Sequence, residues 1–82
     1  MRAIFKMALE GIRVCDLSRL LPGPWATQIF VDLGAEVIKV EDPVNGDPIR
    51  GYFPRASDDS SVLFHALNRG KVHTILSFID LN

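Results

Sequence analysis

Cysteine is almost missing from this chain: Cys15 is the one thiol in 82 residues. That excludes an internal disulfide framework and suits a reducing cytoplasm. Long apolar runs are missing as well, and nothing approaches the roughly 20 apolar residues of a membrane span. The opening segment, Met1 to Lys6, carries two basic residues and no sustained apolar stretch, so it makes a poor signal peptide. Charge of one sign is not in excess: the net charge is −1 and both signs are mixed. No basic stripe points to nucleic acid, and no acidic block points to a solvated tail. The two histidines, His65 and His73, have no partner at metal-ligand spacing, so no metal is expected and both read as surface or half-buried residues. No serine sits in a nucleophile elbow, and the three spaced glycines of a dinucleotide fingerprint are absent.

What is present is globular: 48% of the residues are hydrophobic. The length allows one domain at most, with a marginal core, because so short a chain buries only about 60% of its unfolded surface. Gly11 to Leu17 is rich in small and β-branched residues and predicts a short strand buried on both faces. Cys15 within it reads as a buried, inert thiol. Asp16 and Ser18 favour turns and close the strand. Pro22-Gly23-Pro24 opens a helix, with Gly23 as its cap and Pro24 as its first residue. Trp25, Ile29, Phe30 and Leu33 form one apolar stripe, and Gly34 suits the left-handed position after the last turn. Glu36 to Glu41 predicts a second strand. Strand, helix and strand over about thirty residues make a βαβ unit with parallel strands.

Asp42 to Ser61 is dense in turn signals and reads as a long loop. Ser60 or Ser61 caps a short helix through Leu67. Asn68 to Lys71 is a turn, and Val72 to Ile79 a third strand. The expected class is therefore α/β, a partial Rossmann-like parallel sheet. No repeat and no low-complexity tract is present.

Ligands of open α/β sheets lie beyond the carboxyl ends of the strands. The Pro22-Gly23-Pro24 turn is placed there. Its prolines remove two amide donors, so it suits an acyl chain or a pantetheine arm better than a pyrophosphate. A rigid strand-to-helix connection is the simpler reading. Glu41 ends the second strand, where such folds place a carboxylate for ribose hydroxyls; a solvated strand end is the simpler reading. Asp42 beside it would repel a 3′-phosphate unless a cation lies nearby. Arg50, Arg55, Arg69 and Lys71 are the cations on offer for phosphates, or else solvated turn residues.

The run Leu9-Glu-Gly-Ile-Arg-Val-Cys-Asp-Leu-Ser18 resembles the opening of family III CoA-transferases of the CaiB/BaiF type. Arg19-Leu-Leu-Pro-Gly-Pro-Trp-Ala-Thr-Gln28 is similar to that family's first loop and helix. Asp32-Leu-Gly-Ala-Glu-Val-Ile-Lys-Val-Glu41 is similar to its second strand. Gly46-Asp47-Pro48, Arg50-Gly51 and Ala66-Leu67-Asn68-Arg69 with Lys71 continue the likeness. The family includes formyl-CoA transferase, carnitine CoA-transferase and α-methylacyl-CoA racemase.

The resemblance implies residues 9–82 as the incomplete amino-terminal part of a Rossmann-like large domain, and 1–8 as an extension. It implies coenzyme A or an acyl-CoA as substrate, with no tightly bound cofactor, and an interlocked homodimer. It implies neither nucleic acid nor membrane as partner. Transfer would run through a catalytic aspartate downstream, so no residue here is expected to be catalytic. By position, CoA contacts fall on Leu20, Leu21 and Pro22, and adenine contacts on Asp42 and Leu76. The pattern departs from the family at the turn, which reads Gly70-Lys71-Val72-His73 where the family has Asn-Lys-Arg-Ser, and further on Ser77 and Ile79 replace an acidic residue and a lysine. A racemase fragment, an inactive or partner-dependent remnant, and a free-standing nucleotide-binding module are the alternatives.

Overall fold

The computed structural model describes residues 6–75. Three strands, β1 (Arg13–Asp16), β2 (Glu36–Glu41) and β3 (Val72–Ile75), form one sheet in the order β1-β2-β3. Both pairings are parallel, with Asp16 opposite Lys39 and Glu41 opposite Ile75. An 11-residue helix, α1 (Pro22–Asp32), joins β1 to β2. A 3₁₀ turn (Pro48–Gly51) and a second helix, α2 (Val62–Asn68), lie between β2 and β3. The α/β reading and its βαβ unit are thus what the chain adopts.

Local chemistry explains the element ends. Gly34 has φ +100°, its N–H donates to the Val31 carbonyl, and the Ala35 N–H donates to that of Phe30. Together these close α1 as a Schellman motif. Ser61 caps α2, its Oγ accepting the Leu63 N–H at 3.1 Å. The helix runs one residue beyond Leu67, to Asn68. The start of α1 differs from expectation. Pro22, not Pro24, is its first residue, and Leu21 stands at the cap without a side-chain bond. Either proline is tolerated in a first turn, and the left-handed turn at Leu20 (φ 68°) decides between them. The 42–61 segment is also more ordered than a plain loop. The Asp47 side chain accepts the Ile49 N–H at 3.1 Å and caps the 3₁₀ turn.

The core is small and polar. Its buried apolar members are Ala35, Val37, Ile49 and Phe64, while Asp16, Gln28, Lys39, Glu41, Asp47, Ser61, Asn68 and Lys71 are buried beside them. Along β2, Val37, Lys39 and Glu41 alternate inward. Two expectations fail here. The α1 stripe of Trp25, Ile29, Phe30 and Leu33 is exposed, and Pro24 and Gln28 are the residues α1 buries. The polar bonds of Asp16 and Lys71 draw the Pro24–Thr27 edge of α1 onto the sheet instead. β1 is not buried on both faces either: Cys15 is exposed, because among the described residues no layer covers that side of the strand. Of the expected third strand, residues 76–79 lie outside the described residues.

Candidate functional site

A cleft of about 350 Å³ opens at the carboxyl ends of β1 and β2. Leu17, Ser18 and Arg19 form one wall, at the start of the β1–α1 loop. Val40 and Glu41 from the end of β2, with Asp42, Pro43, Gly46 and Asp47 from the following loop, form the other. This is where an open α/β sheet binds ligands. A second depression at the amino ends of the strands is lined by Gly11, Ile12, Arg13, Gly34 and Glu36. It is lined on one side by the exposed Arg13–Glu36 pair.

Three ion pairs, two of them fully buried, stand beside the cleft. At the first, Asp16 accepts the Ser18 N–H (2.8 Å), the Ser18 hydroxyl, the Thr27 hydroxyl (2.6 Å) and Lys71 Nζ (3.2 Å). Burial alone would raise its pKa, but the bonds from Ser18 and Thr27, then Lys71, bring it below the ordinary carboxylate value. Lys71 Nζ also donates to the Pro24 carbonyl (3.1 Å) and to Asn68 Oδ1 (2.9 Å), so all three of its protons are placed. Burial lowers its pKa, against the pull of Asp16.

The second pair is Lys39 with Asp47, 2.8 Å apart and fully buried. The third is Glu41 with Arg50, whose guanidinium grips both carboxylate oxygens at 2.8 and 2.7 Å. Arg50 stacks on Phe64 at 3.8 Å, and the Asp47 N–H donates to Glu41 at 3.0 Å. The Arg50 bonds outweigh burial and hold the Glu41 carboxyl at about 2. His73 Nδ1 lies 3.5 Å from Glu41, and burial pushes its pKa down.

The residues expected at the site fall as follows. Asp42 lines the cleft; its Oδ1 accepts the Val44 N–H at 2.7 Å and shapes the turn. Leu20 is half-buried, and its N–H donates to Asp47 Oδ1 at 3.0 Å. Leu21 and Pro22 are exposed and follow the wall residues without lining the cleft. Leu76 lies outside the described residues. Glu41 is not a solvated strand end, because Arg50 draws it inside. The four cations offered for phosphates are all occupied: Arg50 by Glu41, Lys71 by Asp16, Arg69 by Asp32 and Arg55 by Asp59. Sequence reasoning passed over Arg19, which lines the cleft and has no ion-pair partner among the described residues. Its place directly before Leu20 was the available signal.

His65 has company that composition did not reveal. Its Nε2 meets Ser60 Oγ at 2.7 Å and Asp58 Oδ2 at 3.1 Å. Both partners share one ring nitrogen, so this is not a relay in which a carboxylate orients the ring from the other side. Among the described residues no three metal-ligating side chains gather, and no helix is long and apolar enough to cross a membrane.

The family profile described as CoA-transferase family III matches residues 9–82. The chain belongs to CoA-transferase family III. Among family relatives, the succinate–glutarate CoA-transferase of Agrobacterium fabrum is 49% identical over 72 residues, covering 80% of this chain and 18% of that protein. The mouse succinyl-CoA:glutarate CoA-transferase is 51% identical over 72 residues, 88% of this chain and 16% of that one. The acetyl-CoA:oxalate CoA-transferase of Acetobacter aceti is 43% identical over 75 residues, 92% of this chain and 19% of that one. A CAIB/BAIF family protein from Brucella suis superposes with a TM-score of 0.82 at 41% identity, covering 94% of this chain and 21% of that one. The chain therefore spans less than a fifth of the length of these curated relatives.

Proposed function

We propose that this chain supplies part of the coenzyme A site of an enzyme that moves CoA between an acyl-CoA and a carboxylic acid. The observation that carries the reading is the cleft at the carboxyl ends of β1 and β2, in a chain whose relatives are CoA-transferases. The β1–α1 loop would pack the pantetheine arm with Leu20, Leu21 and Pro22. The loop after β2 would take the adenosine end near Asp42, with Leu76 beyond it. Arg19, which lines the cleft, would be the cation for the phosphates. The Pro22-Gly23-Pro24 start of α1 offers few free amides, so a side-chain cation is needed there.

In this reading CoA and acyl-CoA are substrates that come and go, and none of these residues performs the covalent step. The working enzyme would be a cytoplasmic homodimer with no nucleic acid or membrane partner. Calorimetric titration of the chain with CoA tests the assignment. Saturable binding is expected, and Leu21→Asp should weaken it by at least about tenfold, or about 1.4 kcal/mol. Saturable binding of ATP or NAD with none of CoA would replace the reading with a nucleotide-binding module.

A further inference from the structure

We propose that Asp47, in the buried Lys39–Asp47 pair, is a positioning residue whose side-chain oxygen holds the β1–α1 loop in its ligand-binding shape through the Leu20 N–H. The inference rests on the reading that this loop contacts coenzyme A. The Lys39 and Asp47 side chains are 0% and 1% exposed. The pair does more than neutralise itself. Asp47 Oδ1 accepts the Leu20 N–H at 3.0 Å, across 27 positions of sequence. Lys39 Nζ donates to the Ser18 carbonyl at 3.3 Å. The loop is thus gripped on either side of Arg19. Asp47 and Ser18 also stand in opposite walls of the cleft, so the pair ties one wall to the other.

Leu20 explains why such a grip is needed. Its φ of 68° is left-handed, a region that a residue with a Cβ resists. Non-glycine residues stay there only when their surroundings over-determine them. Stability by itself does not call for two buried charges, since a well-packed apolar pair does as well in many cores. What an apolar pair lacks is an acceptor for the Leu20 N–H.

Two double variants of the 82-residue chain separate these roles. Lys39→Met with Asp47→Asn removes both charges but leaves an amide oxygen where Oδ1 was. Lys39→Met with Asp47→Leu removes the charges and the acceptor. Each is followed by thermal unfolding, by NMR of the Leu20 backbone (Cα shift and N–H to Hα coupling) and by calorimetry with CoA. The Asn variant should keep the left-handed Leu20 signature and hold CoA affinity within about threefold. The Leu variant should lose that signature and weaken CoA about tenfold or more, because the competent loop becomes a minor population. Leu20→Pro leaves the ion pair intact but deletes the N–H and forbids positive φ. Leu20→Ala removes the same side chain but keeps the N–H, so Leu20→Pro should bind CoA about tenfold more weakly than Leu20→Ala; equal affinities would overturn the positioning role, which keeps the inference testable if the Leu variant does not fold.

Unchanged affinity in the Leu variant, or equal losses in the Asn and Leu variants, would overturn the positioning role. A wild-type chain that binds no CoA, while the Leu20 signature still follows the acceptor, would overturn the coenzyme A reading and leave the loop's dependence on the pair standing.

Discussion

Glu41 makes the stability of this fold depend on acid. Its carboxyl titrates at about 2, against an ordinary 4.5. At about 1.36 kcal/mol per pH unit, that difference is about 3 kcal/mol of folding stability at neutral pH. The Arg50 side chain is 40% exposed, so solvent screens part of the attraction, and about 2 kcal/mol is the working figure. The sign follows from the depressed pKa. The stabilisation is fully present above pH 4.5 and is lost as pH falls through about 2. Urea unfolding of the wild type and Glu41→Gln at pH 6 and pH 2 measures it. The variant should be less stable by about 2 kcal/mol at pH 6 and by under about 1 kcal/mol at pH 2. A gap of the same size at both pH values would refute the argument, because the loss would then come from shape rather than charge.

Gly23→Ala should destabilise the chain even though alanine suits a helix better than glycine. The new Cβ would meet the Ser18 side chain, with Oγ at 2.5 Å, and Asp16 pins Ser18 in place. The expected cost is about 1–3 kcal/mol, read as a melting point about 5–15 °C lower; an unchanged or higher melting point would count against the packing. Ser61→Ala should cost about 1 kcal/mol by circular dichroism melting, since it strips the cap of α2. No change would mean that the Leu63 N–H finds another acceptor.

Much of the fold was legible because its signals are local. Glu36 to Glu41 is bounded by Gly34 on one side and by turn residues on the other, and β2 has those limits. Gly34 and Ser61 end and begin helices through bonds to residues at most five positions away. The family was legible for a similar reason, since the ordered run from Leu9 to Lys71 is itself the signature. The α1 start was ambiguous because two prolines two residues apart both satisfy a first turn. The site was only half legible. The loop before α1 was a candidate from topology and Asp42 from the family resemblance, whereas Arg19 stands out only once the ion pairs of the other basic residues and the lining of the cleft are seen.

By itself, the sequence determined the order of elements, the parallel βαβ unit and the family, because each depends on spacing along the chain. Tertiary structure alone decided which charges are free. Asp16 meets Lys71 across 55 positions and Asp47 meets Leu20 across 27. No periodicity predicts such pairings, because they arise only where the sheet brings strand ends and loops together. The same folding placed Cys15 outside and Glu41 inside, reversing what their neighbours in sequence suggested. A side chain's surroundings are set by what packs across from it, and that is a property of the folded chain.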